Sequence, residues 1–301
     1  MEYQKFQGIF PAFYACYEEN GAISPQRIRA MARYLLEKGV QGVYVGGSSG
    51  ECIYQSVDER QKVLEAVMDE VGGRMTVIAH VACNNTADSR ALASHAESVG
   101  ADAIASIPPI YFHLPENSIA RYWNDISDAA PNTPFIIYNI PQLAGVGLSV
   151  SLLRKMKENP RLLGVKNSSM PVQDIQMWRD EDVLVFNGPD EQLLSGLAAG
   201  ACGGIGGTYA SMPELYLAIY KCFLQGDMEK GRVLQDEACR LIYRMCEADC
   251  NLYAVLKEVI RRRGGPDAGG VRSPLAGLTD KAREIAAACA LSIDSTVAQL
   301  G

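Results

Sequence analysis

Residues 134–169, PFIIYNIPQLAGVGLSVSLLRKMKENPRLLGVKNSS, contain two apolar runs with an amphipathic segment between them. PFIIYNIP (134–141) and LLGVKNSS (162–169) read as strands. SVSLLRKMKENP (149–160) opens on serine, spaces its apolar residues by three or four, and reads as a helix. Two apolar strands joined by a helix form a parallel βαβ unit, and strands buried on both faces read as near-continuous Leu, Val and Ile. One residue breaks that pattern. Lys166 ends the second apolar run, where burying an ammonium group is costly, so it either reaches water or takes part in chemistry.

The same unit recurs along the chain. Strand candidates are GIFPAFYACY (8–17), GVYVGG (42–47), MTVIAHVAC (75–83), AIASIPP (103–109), PFIIYNIP, LLGVKNSS, VLVFNGP (183–189) and CGGIGGTY (202–209), with helical runs between them and a weaker one at VQDIQMWRDE. Eight strands alternating with helices over short connections predict an α/β fold, a (β/α)8 TIM barrel, with a doubly wound open sheet as the alternative. The catalytic barrel is expected over 1–227. Three further helical runs, in MEKGRVLQDEACRLIYRMCEA, NLYAVLKEVIRRRGG and TDKAREIAAACALSI, make 228–301 a C-terminal helical extension packed on it, with the Gly-rich GGPDAGG (264–270) as a separator.

With 301 residues, 48% hydrophobic and 21% charged, the chain has the composition of an ordinary globular protein with one large core. A net charge of -7 argues against nucleic-acid binding, which needs a cationic footprint. The only basic run, Arg261-Arg262-Arg263, reads as a helix-end cluster serving the dipole and solubility. No apolar run is long enough to span a membrane, and MEYQKFQGIF lacks a secretory pattern. Nine cysteines without a Cys-x-x-Cys pair or a neighbouring His cluster read as reduced thiols of a cytoplasmic protein with no metal site. His80 reads as a core residue and His95 as a surface one, while His113 follows the fourth strand and is a candidate for the site.

Barrels do chemistry at the carboxyl ends of their strands. The second strand ends in GGSSGE (46–51), where Ser48, Ser49 and the turn amides offer donors for a carboxylate or phosphate; a plain βα turn would look the same. The fifth ends in YNIP (138–141) with Tyr138, the sixth carries Lys166, and NGPDE (187–191) and GGIGGTY (203–209) close the seventh and eighth. A lysine in a low-dielectric pocket favours its neutral form, which attacks a carbonyl to give a Schiff base. The constellation therefore predicts covalent chemistry on a 2-oxo acid with no metal and no cofactor. Pyridoxal phosphate, which also forms a lysine imine, is the cofactor-dependent alternative.

In order and spacing, GGSSGE, YNIP, the GVK strand and GGIGGTY resemble the class I pyruvate aldolase superfamily of N-acetylneuraminate lyase and dihydrodipicolinate synthase. The resemblance implies that Lys166 forms the imine with C2 of pyruvate and that Tyr138 shuttles a proton to or from the aldol oxygen. It implies that Ser48 and Ser49 hold the carboxylate beside Ile205, and that Tyr111 in PPIYFH reaches across a subunit contact in a homotetramer built as a dimer of dimers. Leu143 in YNIPQLAG stands where the synthase branch carries an arginine, and an apolar side chain cannot pair a second carboxylate. FNGPDEQLLSGLAAGACGGIGGTY (186–209) is similar instead to the sialic-acid lyase branch. There Asp190 and Glu191 would bond sugar hydroxyls, Gly188 would contribute its backbone, and Ser168 would touch the glycerol chain. Pro189 replaces a tyrosine of that branch, and Gly207 a serine. The implied function is reversible cleavage of N-acetylneuraminate to pyruvate and N-acetylmannosamine. The alternatives are a dihydrodipicolinate synthase-like or other keto-deoxy-sugar aldolase, and a non-enzymatic keto-acid sensor.

Overall fold

The computed structural model describes residues 3–300. The eight strands are β1 (Gly8–Pro11), β2 (Gly42–Val45), β3 (Thr76–His80), β4 (Ala103–Ser106), β5 (Phe135–Asn139), β6 (Leu162–Asn167), β7 (Leu184–Asn187) and β8 (Gly203–Gly206). All neighbours are parallel, in the order β1-β8-β7-β6-β5-β4-β3-β2. Between β1 and β2 the circle closes through an Ala12–Tyr44 bridge and a hydrogen bond from the Phe13 amide to the Tyr44 carbonyl. The expected (β/α)8 barrel with added C-terminal helices is the observed one.

Alternate residues point in and out, as a closed parallel sheet requires. Phe10, Tyr44, Ile78, Ile136, Phe186 and Ile205 fill the interior, while Val43, Val77, Ile104, Ile137 and Val185 pack under the surrounding helices. Helix starts follow their sequence markers. Ser56 accepts from the Glu59 amide and Glu59 from the Ser56 amide, a reciprocal cap that opens the helix Val57–Val71.

Three local expectations are corrected. The apolar run 8–17 is a strand only to Pro11; residues 12–17 stay buried because they pack against the C-terminal extension. There the Tyr14 ring lies 6.2 Å from that of Tyr253, and Lys257 and Arg272 lie over Tyr17. GGPDAGG is a fastener rather than a plain separator, since the Ala268 carbonyl accepts from the Tyr17 amide and the Gly270 carbonyl from Lys257 Nζ at 2.6 Å. Arg263 is not a solvated charge. Its side chain is 4% exposed, pairs with Glu214 and Asp294, and donates to the Ser211 carbonyl at 2.8 Å. All nine cysteines are free, and among the described residues no helix is long and apolar enough to cross a membrane.

Candidate active site

Lys166 and Tyr138 are register partners on β6 and β5, so their side chains leave the sheet at one height. Lys166 points inward because of an irregularity. The pairing runs Phe135 with Leu162 and then Ile136 with Gly164, so Leu163 is an extra residue. That bulge places Leu163 in the interior cluster and Val165 in the outer one, and the next residue, Lys166, faces the barrel axis. Its amine is held between aromatic faces, 3.8 Å from the Tyr138 ring centroid and 4.5 Å from that of Tyr44. Burial pulls the Lys166 amine from 10.5 down to about 7, against the opposing pull of the Asp190 carboxylate.

A cavity of about 320 Å³ opens above this amine. Of the site residues expected from sequence, Ser48, Ser49, Tyr138, Lys166, Ser168, Gly188, Asp190, Glu191, Ile205 and Gly207 line it, joined by Ala12, Tyr44, Leu143, Pro189 and Tyr253. Burial pushes the Tyr138 phenol up to about 12, while the Ser48 and Ser168 side chains beside it act in the opposite sense. Ser48–Gly50 form a tight 3-10 turn in which the Gly50 amide bonds the Gly47 carbonyl and the Glu51 amide the Ser48 carbonyl. The first amides of such a turn have no partner inside it, so those of Ser48 and Ser49 are available to a ligand.

The turn is braced from behind. Glu51, in a left-handed conformation (φ 53), is buried and accepts from Lys257 Nζ and from the Arg272 amide, both at 2.8 Å. Tyr253, one helical turn before Lys257 in the helix Leu252–Arg262, reaches the cavity, and burial lifts its phenol to about 12 with the Ser49 side chain opposing. Sequence reasoning missed Tyr44, Glu51 and Tyr253 as site components. Strand alternation in GVYV marks Tyr44 as inward, but nothing local connects the 252–262 helix to the second strand.

Asp190 lines the cavity with its oxygens already engaged: Gly207 N donates to Oδ1 at 3.2 Å, and Thr208 N and Oγ1 donate to Oδ2 at 2.6 and 2.7 Å. It braces the turn after β8 as well as facing the ligand space, and burial pushes its carboxyl up to about 6. An added Cβ at Gly207 would lie 3.4 Å from Ser49 Oγ, so the missing serine leaves open room rather than a filled gap. Gly188 has no such room. A Cβ there would sit 2.1 Å from Ser168 Oγ and 2.6 Å from the Asn167 carbonyl oxygen, so Gly188→Ala is expected to displace Ser168 and lower stability by about 1–3 kcal/mol in urea unfolding.

Tyr111 and His113 do not line this chain's own cavity. Tyr111 is 86% exposed, held in a left-handed conformation (φ 86) with its ring edge-on to Phe112, and is not among the residues lining the cavity. The chain turns outward after β4, which also carries His113 to the turn at Gly145 rather than into the site.

The dihydrodipicolinate synthetase family matches residues 5–291. The chain belongs to that family. Within the dihydrodipicolinate synthetase family it is 57% identical over 285 residues to the N-acetylneuraminate lyase of Mediterraneibacter gnavus, covering 94% of this chain and 90% of that protein. The wild-type sialic acid aldolase of Ruminococcus gnavus superposes with a TM-score of 0.97 at 55% identity, over 99% of this chain and all of that one. A catalytic lysine mutant of the same aldolase gives 0.98 at 54% identity over 99% of both chains. Both comparisons set the chain in the N-acetylneuraminate lyase branch of the family.

Proposed function

We propose that the protein reversibly cleaves N-acetylneuraminate to pyruvate and N-acetylmannosamine through an imine on Lys166. The observation that carries this reading is the Lys166 amine, buried between two tyrosine faces and brought to about 7, at the floor of a cavity with free turn amides. The Ruminococcus gnavus sialic acid aldolase also has a catalytic lysine.

The neutral amine adds to C2 of the open-chain 2-oxo acid, and loss of water with uptake of one proton, returned at the final hydrolysis, leaves a protonated imine. Ser48 and Ser49 hold the substrate carboxylate through hydroxyls and amides, so C2 is presented to Nζ. Tyr138 accepts the proton of the C4 hydroxyl as the C3–C4 bond breaks, and the bonding electrons pass into the imine to give an enamine and the free aldehyde. Protonation of the enamine at C3 and hydrolysis return pyruvate and the amine. A phenol lifted to about 12 is a poor resting base, so Tyr138 acts as a relay, passing a proton on through Ser48 or Ser168 as it receives one. Glu191, Asp190, Ser168 and the Gly188 backbone face the sugar chain, and Leu143 gives no cation for a second carboxylate.

The test is incubation with pyruvate and borohydride, which should add a pyruvate-derived mass at Lys166, combined with pyruvate release from a panel of 2-oxo-3-deoxy acids. Absence of the adduct, or an inert N-acetylneuraminate beside another acid that turns over, sinks the reading. Tyr138→Phe is expected to keep the pyruvate adduct while turnover falls about 10²-fold. Rate should drop with one-proton dependence as pH falls below about 7, because the amine becomes ammonium.

The exposed Tyr111–Phe112 pair supports assembly into a tetramer in which Tyr111 completes a neighbouring site. Light scattering gives the stoichiometry. Nine free thiols fit a reducing cytoplasmic location.

A further inference from the structure

His80 ends β3, is 5% exposed, and points into the barrel beside the site without lining its cavity. Its Nδ1 lies 2.8 Å from the Gly46 carbonyl oxygen. A carbonyl only accepts, so Nδ1 carries the hydrogen and Nε2 is left as a bare lone pair. Among the described residues Nε2 is buried without a partner, as is the Tyr44 hydroxyl.

Three contacts meet at this ring. It stands edge-on to Tyr138, with centroids 5.9 Å apart at 85°, and tilted against Tyr44 at 6.1 Å. Gly46, whose carbonyl it holds, is in a left-handed conformation (φ 75) and begins the turn that presents Ser48 and Ser49. The backbone that carries the ring is anchored, because Arg60 donates to the His80 and Ala82 carbonyls, both at 2.7 Å. Burial holds the imidazole down to about 3, so it stays neutral beside the Lys166 amine.

We infer that His80 is a positioning residue, whose Nδ1–H to Gly46 hydrogen bond sets the Ser48-Ser49 turn at carboxylate-binding distance from Lys166. This rests on the imine reading above. A donor at the Nδ1 position is what the role requires, and an aromatic ring alone does not satisfy it.

The experiment measures borohydride-trapped pyruvate adduct against pyruvate concentration for the full-length protein. His80→Phe keeps a ring against the tyrosines and loses the donor. His80→Asn places an amide nitrogen close to Nδ1. The expected result is a half-saturating pyruvate concentration raised about 10-fold in His80→Phe with the saturated adduct yield within about 2-fold of wild type, and most of the shift recovered in His80→Asn. Should His80→Phe not fold, His80→Gln, whose amide reaches toward Nε2 instead, removes the same bond. An unmoved half-saturation, equal shifts in the Phe and Asn variants, or a loss of saturated yield alone overturns the inference while leaving the imine intact. No adduct on the wild-type protein overturns the imine reading, and this inference with it.

Discussion

Lys166→Met is expected to remove turnover, on the order of 10³-fold or more, and to make the protein more stable. The first effect follows from deleting the only atom that can form the imine. The second follows from the burial that activates it. In the folded chain the amine titrates at about 7, against 10.5 when free. Between those values the unfolded chain holds a proton that the folded chain has lost, so stability rises with pH across that window. Below about pH 7 both states are protonated and the full cost of burying the ammonium opposes folding; above about 10.5 neither is, and the cost is gone. Methionine has a similar volume and no charge. Its advantage in urea unfolding should therefore reach a few kcal/mol near pH 6 and shrink steadily toward pH 10, other titrations cancelling between the two proteins. A variant no more stable than wild type near pH 6 would contradict the buried-amine account.

Lys257→Ala is expected to destabilise the protein by about 3–5 kcal/mol, because it strands the Glu51 carboxylate in the interior. The side chains of Lys257 and Glu51 are 2% and 0% exposed, and their contact is 2.8 Å. Among the described residues, Glu51 keeps the Arg272 amide but loses its one close cation after the substitution, while the Gly270 carbonyl loses its donor. Paired replacement, Glu51→Gln with Lys257→Met, removes both charges and should recover much of the loss, as measured by urea midpoints. The same variants probe the site. Glu51 follows directly on the Ser48–Gly50 turn, and Tyr253 precedes Lys257 by one helical turn, so Lys257→Ala should also weaken pyruvate trapping. A single substitution costing under about 1 kcal/mol would show that water reaches the pair.

Strand count, order and the rim residues were legible because each strand is short, apolar and followed by its own turn, so local composition marks it. Lys166, Tyr138 and the Ser48-Ser49 turn stand out for the same reason: each is a polar residue at the carboxyl end of an apolar run. Residues 12–17 read as strand in the sequence because burial alone shows in composition, and packing against a distant helix gives the same apolar run as pairing in a sheet. Arg263 reads as a solvated helix-end charge for the converse reason, since Glu214 and Asp294, which neutralise it, lie far away in sequence.

Eight strands alternating with helices, and the amine near the end of the sixth, can be read from residue order alone, because periodicity of two and of 3.6 is written locally. The direction in which that amine points, and its surroundings, follow from the folded packing. Simple alternation would set Leu163 and Lys166 on opposite faces, and the bulge that turns both inward is a property of the pairing with β5. The buried Glu51–Lys257 pair joins residues 206 positions apart, and His80 holds Gly46 across 34. Contacts at such separations depend on chain closure, which no local pattern of residues encodes.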